Sequence, residues 1–158
     1  ISNVTGSNIF VTDLEASPGF SSLQAIGINT TNSSTSNDFT DIDTKLGTTN
    51  YTDSVNNTFT SAGAPKATRT FVVFTRQINN VPIINSTDYP AFVTGMLWDT
   101  SDGNTEYNGT QDIVFNTEIN ESQPGLGGTY DFEIKVPALL RNYNAAGTAV
   151  AFYYELKG

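Results

Sequence analysis

Residues 112–119 read DIVFNTEI and residues 130–136 read YDFEIKV. In the second stretch Tyr130, Phe132, Ile134 and Val136 share one face, while Asp131, Glu133 and Lys135 share the other. That is the period-two alternation of a half-buried strand. In the first, Ile113, Phe115 and Ile119 are expected inward and Asn116 and Glu118 outward. Residues 70–78 (TFVVFTRQI), 91–98 (AFVTGMLW) and 148–156 (TAVAFYYEL) are apolar on both faces. Such strands lie centrally or are covered on their second side. Weaker strand patterns occupy residues 8–16 (NIFVTDLEA) and 20–28.

Turn residues separate these runs: Asp102-Gly103, Asn108-Gly109, Pro124-Gly125 and Gly127-Gly128. Helical signal is poor. Residues 136–144 (VPALLRNYN) offer one or two turns, and residues 39–46 (FTDIDTKL) read equally as a strand or a short helix. Seven or eight short strands with rich turns predict an all-β chain, a single β-sandwich of immunoglobulin-like or jelly-roll type with an extended N-terminal strand arm. The expected division is an arm over residues 1–16 and a sandwich domain over residues 17–158. Residues 29–37 (NTTNSSTSN) form a polar insert that no core can use.

Composition narrows the function. The chain has 158 residues, of which Ser, Thr and Asn number 53, about a third. Seven Lys and Arg stand against 16 Asp and Glu, a formal charge of -9. With no basic patch to neutralise phosphates, nucleic acid is not an expected partner. The absence of His and Cys removes the usual general base, the thiol nucleophile and most zinc or iron ligand sets. No GxSxG is present, and every acid falls in a turn or on an outward strand position, so the chain reads as non-enzymatic with no catalytic residues, no metal and no cofactor. No apolar run approaches the length of a membrane span. The chain opens at Ile1 rather than Met, as expected of a processed protein.

Eight Asn-x-Ser/Thr sequons occur, at Asn3, Asn29, Asn32, Asn50, Asn56, Asn85, Asn108 and Asn120. Chance at this composition gives roughly 4. All eight are expected in polar connections or in the leading arm, where N-linked glycans can attach. The acidic run 99–106 (DTSDGNTE) lacks the spacing of a calcium-binding EF-hand loop and reads as a hairpin turned at Asp102-Gly103-Asn104. Asp38, Asp41 and Asp43 form a second, solvated acidic cluster. Trp98, Tyr107, Tyr143, Tyr153 and Tyr154 are aromatics of the kind that stack on sugar faces, and Trp98, closing a strand before a loop, suits either such a platform or a core.

The leading segment carries most of the functional signal. Residues 1–7 are polar, residues 8–16 supply Ile9, Phe10, Val11 and Leu14, and a Ser17-Pro18-Gly19 turn follows. A strand so placed either folds back onto its own sandwich or pairs with an open edge of the next subunit. Head-to-tail pairing of the second kind does not close on itself and builds a filament.

A processed, Cys-free and His-free, Ser/Thr/Asn-rich β-sandwich with dense sequons and a strand-forming arm resembles archaeal extracellular filament subunits of the donor-strand type, the glycosylated threads and bundling pili, with bacterial TasA-type biofilm fibres more distant. The resemblance is one of character over the whole chain, without a diagnostic motif. It implies an extracellular, cell-surface structural subunit that polymerises with itself by donor-strand complementation, in adhesion or biofilm formation. Ile9, Phe10, Val11 and Leu14 would match the donor strand, and the sequon asparagines the glycan sites. Type IV pilins fit poorly, because their long apolar N-terminal helix has no counterpart here. The alternatives are a monomeric immunoglobulin-like surface-binding module, anchoring to a surface layer or binding carbohydrate through Trp98, and a capsid or surface-layer component.

Overall fold

Residues 113–117 of the DIVFNTEI stretch are all buried, on both faces of one strand. That strand sits in the middle of the fold, and a computed structural model describes the chain around it over residues 4–12, 17–137 and 150–157. In chain order the strands of the main sheet are β1 (Asn8–Thr12), β2 (Leu23–Ala25), β5 (Thr68–Val73), β6 (Arg76–Asn85), β7 (Val93–Asp99), β8 (Ile113–Glu118) and β11 (Ala151–Glu155). Two small hairpins, β3 (Thr60–Ser61) with β4 (Ala64–Pro65) and β9 (Gln123–Gly125) with β10 (Gly128–Tyr130), lie apart from it. Helices α1 (Asp38–Leu46) and α2 (Val55–Phe59) complete the described elements. The chain is predominantly β, as its patterning predicts.

The sheet order is β11-β1-β8-β7-β6-β5, antiparallel at every pairing, with β2 added to the C-terminal half of β7. Successive side chains on a strand point to opposite faces, so β1, β7 and β8 each feed two cores. Val11, Met96, Trp98, Ile113 and Phe115 go to one face, where Phe39, Ile42 and Leu46 of α1 and Val55 and Phe59 of α2 cover them. Phe10, Leu97 and Val114 go to the other, where Phe71 and Val73 of β5 and Ile78 and Val81 of β6 pack over them. The strands that are apolar on both faces are thus covered twice, by helices on one side and by a folded-over hairpin on the other, which makes the fold sandwich-like. Asn80, in the middle of the long β6, has a left-handed φ of 58°. The strand pairs with β5 on both sides of this bend, through Gln77 and Ile78 before it and Val81 and Pro82 after it, and then with β7 from Ile83 to Asn85.

Several elements differ from the expectation. Residues 70–78 are two strands, because the chain reverses at Phe74-Thr75, with Val73 paired to Arg76 and Phe74 at φ 52°. A two-residue hairpin loop of this hand favours Gly first, so nothing in the sequence marked it. The YDFEIKV stretch is a strand only at its start: Tyr130 ends β10, Phe132 is exposed, and only Ile134 and Val136 touch the helix-side core. Asn116, expected outward, is wholly buried, and its amide has no partner among the described residues. Most of the helical turns expected over residues 136–144 lie outside the described residues.

Residues 38–46 resolve as a helix. Phe39, Ile42 and Leu46 fall on one face at helical spacing, Asp38 and Asp41 occupy the first turn, and Lys45 the last. Gly47, at φ 68°, ends it with a Schellman closure in which the Thr48 N–H donates to the Asp43 carbonyl. Asp43 also starts the next helix: its carboxylate accepts from the Val55 and Asn56 N–H groups and from the Thr48 hydroxyl. The expectation of a solvated cluster at Asp38, Asp41 and Asp43 is therefore corrected for Asp38 and Asp43, both buried and both hydrogen-bonded to backbone N–H groups.

At Gly95 of β7 the folded-over hairpin approaches the sheet closely. A Cβ there would lie 2.5 Å from Asn116 Oδ1 and 2.8 Å from the Phe71 ring. Gly95→Ala is expected to destabilise the fold by about 1–3 kcal/mol through overpacking, read as a lower urea midpoint at unchanged m-value.

Candidate functional site

β1, like β7 and β8, contributes to both cores, although it is only five residues long and sits near the start of the chain. It runs between β8 and β11, with Phe10 opposite Tyr153 and Asn116, and Val11 opposite Phe152 and Phe115. Phe10 and Val11 are completely buried, on opposite faces. Ile9 is half-buried, and Leu14 lies outside the described residues, as does Asn3. In the single chain the strand is therefore paired within its own sheet. Phe20 rests on Phe10 (5.0 Å between ring centres), Tyr153 (5.6 Å) and Phe74 (5.9 Å), closing an aromatic cluster over the β1–β11 pair.

The first turn of this slot is polar and buried. Asn8 lies directly opposite Glu155, and its Nδ2 donates to Glu155 Oε2 (2.6 Å) and to the Val72 carbonyl of β5 (2.8 Å). Lys157 Nζ donates to the same Val72 carbonyl (2.6 Å) and to that of Gly6 (2.7 Å). The Lys157 N–H donates to Ser7 Oγ, the Ile119 N–H just past β8 donates to the Ser7 carbonyl, and the Gly6 N–H donates to the Ile119 carbonyl. This clasp ties the start of β1 to the first hairpin strand and to the end of β11, so β5 and β11, the two ends of the sheet order, approach each other here.

Beyond β11 no further strand pairs among the described residues, and its outer side is apolar: Phe152 is 64% and Tyr154 72% exposed, with Leu156 exposed beyond them. The sequence pattern placed this strand centrally or under cover. Its inner side, through Tyr153, does join a core, while its other side is uncovered among the described residues. Open, apolar edge strands favour pairing with other chains.

Trp98 is not a sugar platform. It is 0% exposed, packs edge-on against the buried Tyr107 ring and donates from Nε1 to the Ile28 carbonyl. Tyr143 lies outside the described residues. A different aromatic borders a cleft: a cavity of about 530 Å³ floored by Val55, Phe59, Ile84 and Val136 carries Tyr51, Asp53, Thr58 and Lys135 on its rim, with Tyr51 exposed.

The sequons are distributed over the surface. Asn32, Asn50, Asn85 and Asn108 are exposed, and Asn29, Asn56 and Asn120 half-buried. Two fall inside regular elements rather than connections: Asn56 is in α2 and Asn85 ends β6. Asn29 and Asn108 share one local geometry, each Oδ1 accepting from the N–H and hydroxyl of its own sequon threonine, Thr31 or Thr110. In the 99–112 connection the carboxylates of Asp99, Asp102 and Asp112 converge. Asp99 is already engaged there by the N–H groups of Gly19 and Ser101 and by the Ser101 hydroxyl, and Asp102 accepts from the Asp112 N–H.

No family model matches this chain, and no curated protein or solved structure shows significant similarity to it.

Asp38 and Asp41 hold their protons more tightly than ordinary aspartates, chiefly through burial and further through each other's charge at Asp38 and that of Glu106 at both. A carboxyl with a raised native pKa favours the folded state at low pH, and that contribution is lost as pH rises from the ordinary value of 3.8 through the raised one. Asp38→Asn keeps an acceptor for the Gly27 N–H and removes the charge. Its stability relative to the parent is expected to rise between about pH 4 and pH 7, checked by urea titrations across that range.

Proposed function

We propose that the chain is a glycosylated structural subunit of an extracellular filament, polymerising head-to-tail by donation of its first strand, non-enzymatic, and acting in adhesion or biofilm formation. The observation that carries this reading is the position of β1. A terminal strand fills an interior slot between β8 and β11 and contributes Phe10 and Val11 to two separate cores. Such a slot accepts the β1 of a neighbouring copy with the same register and the same buried contacts as its own. Exchange costs no contact, and it converts a closed monomer into an open chain of subunits. The dense sequons, the low share of charged residues at 15% and the scarcity of ion pairs among the described residues, Arg69–Glu118 being the one seen, agree with a glycan-covered surface exposed to a variable medium. No helix among the described residues is long and apolar enough to cross a membrane.

Removing residues 1–16 is expected to leave a monomer that is still β-rich but less stable by several kcal/mol, since truncating Phe10 alone typically costs about 3–5 kcal/mol. A peptide of residues 1–16 should bind the truncated chain and restore its thermal midpoint. Electron microscopy of the intact protein should show filaments with a subunit-scale repeat. Polymerisation of the truncated chain, or dispersed particles of the intact protein at every concentration, would overturn the reading.

The cleft beside Tyr51 favours a second reading, a surface module that binds carbohydrate. An exposed aromatic over an apolar floor with a polar rim is suited to a sugar ring. Under that reading Tyr51→Ala lowers binding on a glycan array at least tenfold and leaves assembly unchanged, whereas Trp98→Ala acts through loss of the fold.

A further inference from the structure

The clasp at the start of β1 brings together a primary amide on β1, a carboxylate at the end of β11 and a primary amine two residues past it. Asn8 is 0% exposed and Glu155 4%. Asn8 Nδ2 and Lys157 Nζ both donate to the Val72 carbonyl, so the two nitrogens lie within roughly 5 Å of each other at ordinary hydrogen-bond lengths. Glu155 Oε2 is 2.6 Å from Asn8 Nδ2, against the atom that would leave. Asn8 Oδ1 is buried with no donor among the described residues, so a protonated group reaching it displaces no existing bond. The aromatic cluster of Phe10, Phe20 and Tyr153 adjoins this end of the pair.

We propose that Asn8 and Lys157 are the substrates of a self-catalysed amide cross-link, with Glu155 as the proton carrier. The neutral amine of Lys157 attacks Asn8 Cγ, forming the Nζ–Cγ bond. Glu155 takes the proton released from Nζ and delivers it to Nδ2. The Cγ–Nδ2 bond then breaks and ammonia leaves. One C–N bond forms, one is lost, nothing is oxidised or reduced, and no cofactor takes part. A carboxylate shuttling a proton between two nitrogens in a buried site is ordinary general acid–base chemistry, and holding the two reactants where β1 begins and the chain leaves β11 supplies the proximity that an amide otherwise lacks in water. The chain has no Cys, and such a link would give it a covalent closure that needs no disulfide.

The inference does not depend on polymerisation. If β1 stays in its own sheet the link is internal to one chain; if β1 is donated it joins neighbouring subunits. The test is the intact mass of the full chain, produced without glycans and kept folded for days, followed by protease mapping under denaturing conditions. A loss of about 17 Da, the mass of one ammonia, and a branched peptide containing both Asn8 and Lys157 are expected. Lys157→Arg keeps a donor for the Gly6 and Val72 carbonyls and should restore the full mass, as should Glu155→Gln, which keeps both reactants. Asn8→Asp should lose water in place of ammonia. The mass loss in a single-chain band supports the link and counts against strand donation, while a ladder resistant to boiling in detergent supports both. The unmodified mass in folded parent protein, whether monomeric or filamentous, overturns the inference.

Discussion

The pairing of β1 with β8 and β11 is the constraint on which the remaining architecture rests. β8 is buried on both faces, so whatever lies beside it must present apolar side chains in both directions. Phe10 and Val11 do this from adjacent positions. Without that strand β8 would expose an unpaired backbone edge to water and both cores would open on the same side. The helices and the folded-over hairpin each cover one face, but neither can close the gap between β8 and β11.

The centre of the fold was readable at β7, whose apolar run on both faces requires cover on two sides and received it, whereas β8 read as half-buried with Asn116 outward and is in fact covered on both faces. α1 was partly readable: Phe39, Ile42, Leu46 and Gly47 spell an amphipathic helix with its stop, but the interleaved Asp and Thr also fit an alternating strand. The Phe74-Thr75 reversal was not, since a left-handed Phe in a tight loop carries no Gly or Asn to announce it. YDFEIKV misled for a related reason. Alternation states which side chains could share a face and says nothing about whether a neighbouring strand is there to pair with, and beyond Tyr130 none pairs among the described residues.

The candidate site was legible in outline only. The apolar residues of the first strand marked it as a pairing element. The clasp residues did not stand out, because Asn8, Glu155 and Lys157 are widely separated in sequence and each is an ordinary surface type. Only the register of β1 against β11 makes them neighbours. Trp98 shows the converse: it closes a strand before a loop, as a platform would, yet the polar Ile28 carbonyl and the Tyr107 ring hold it inside. The abundant Ser, Thr and Asn serve local needs, closing turns at Asn29 and Asn108 and capping α2 through Ser54.

Because β1 and β11 are antiparallel, the beginning of one lies beside the end of the other, and Asn8–Glu155 is their outermost rung. Tension applied to the two ends of an isolated chain would therefore load that rung before any other, prying the strands apart one pair at a time rather than shearing them together. The Asn8–Glu155–Lys157 clasp stands at this point of entry, and the resistance of the whole sheet to such a pull is set by what happens among three side chains.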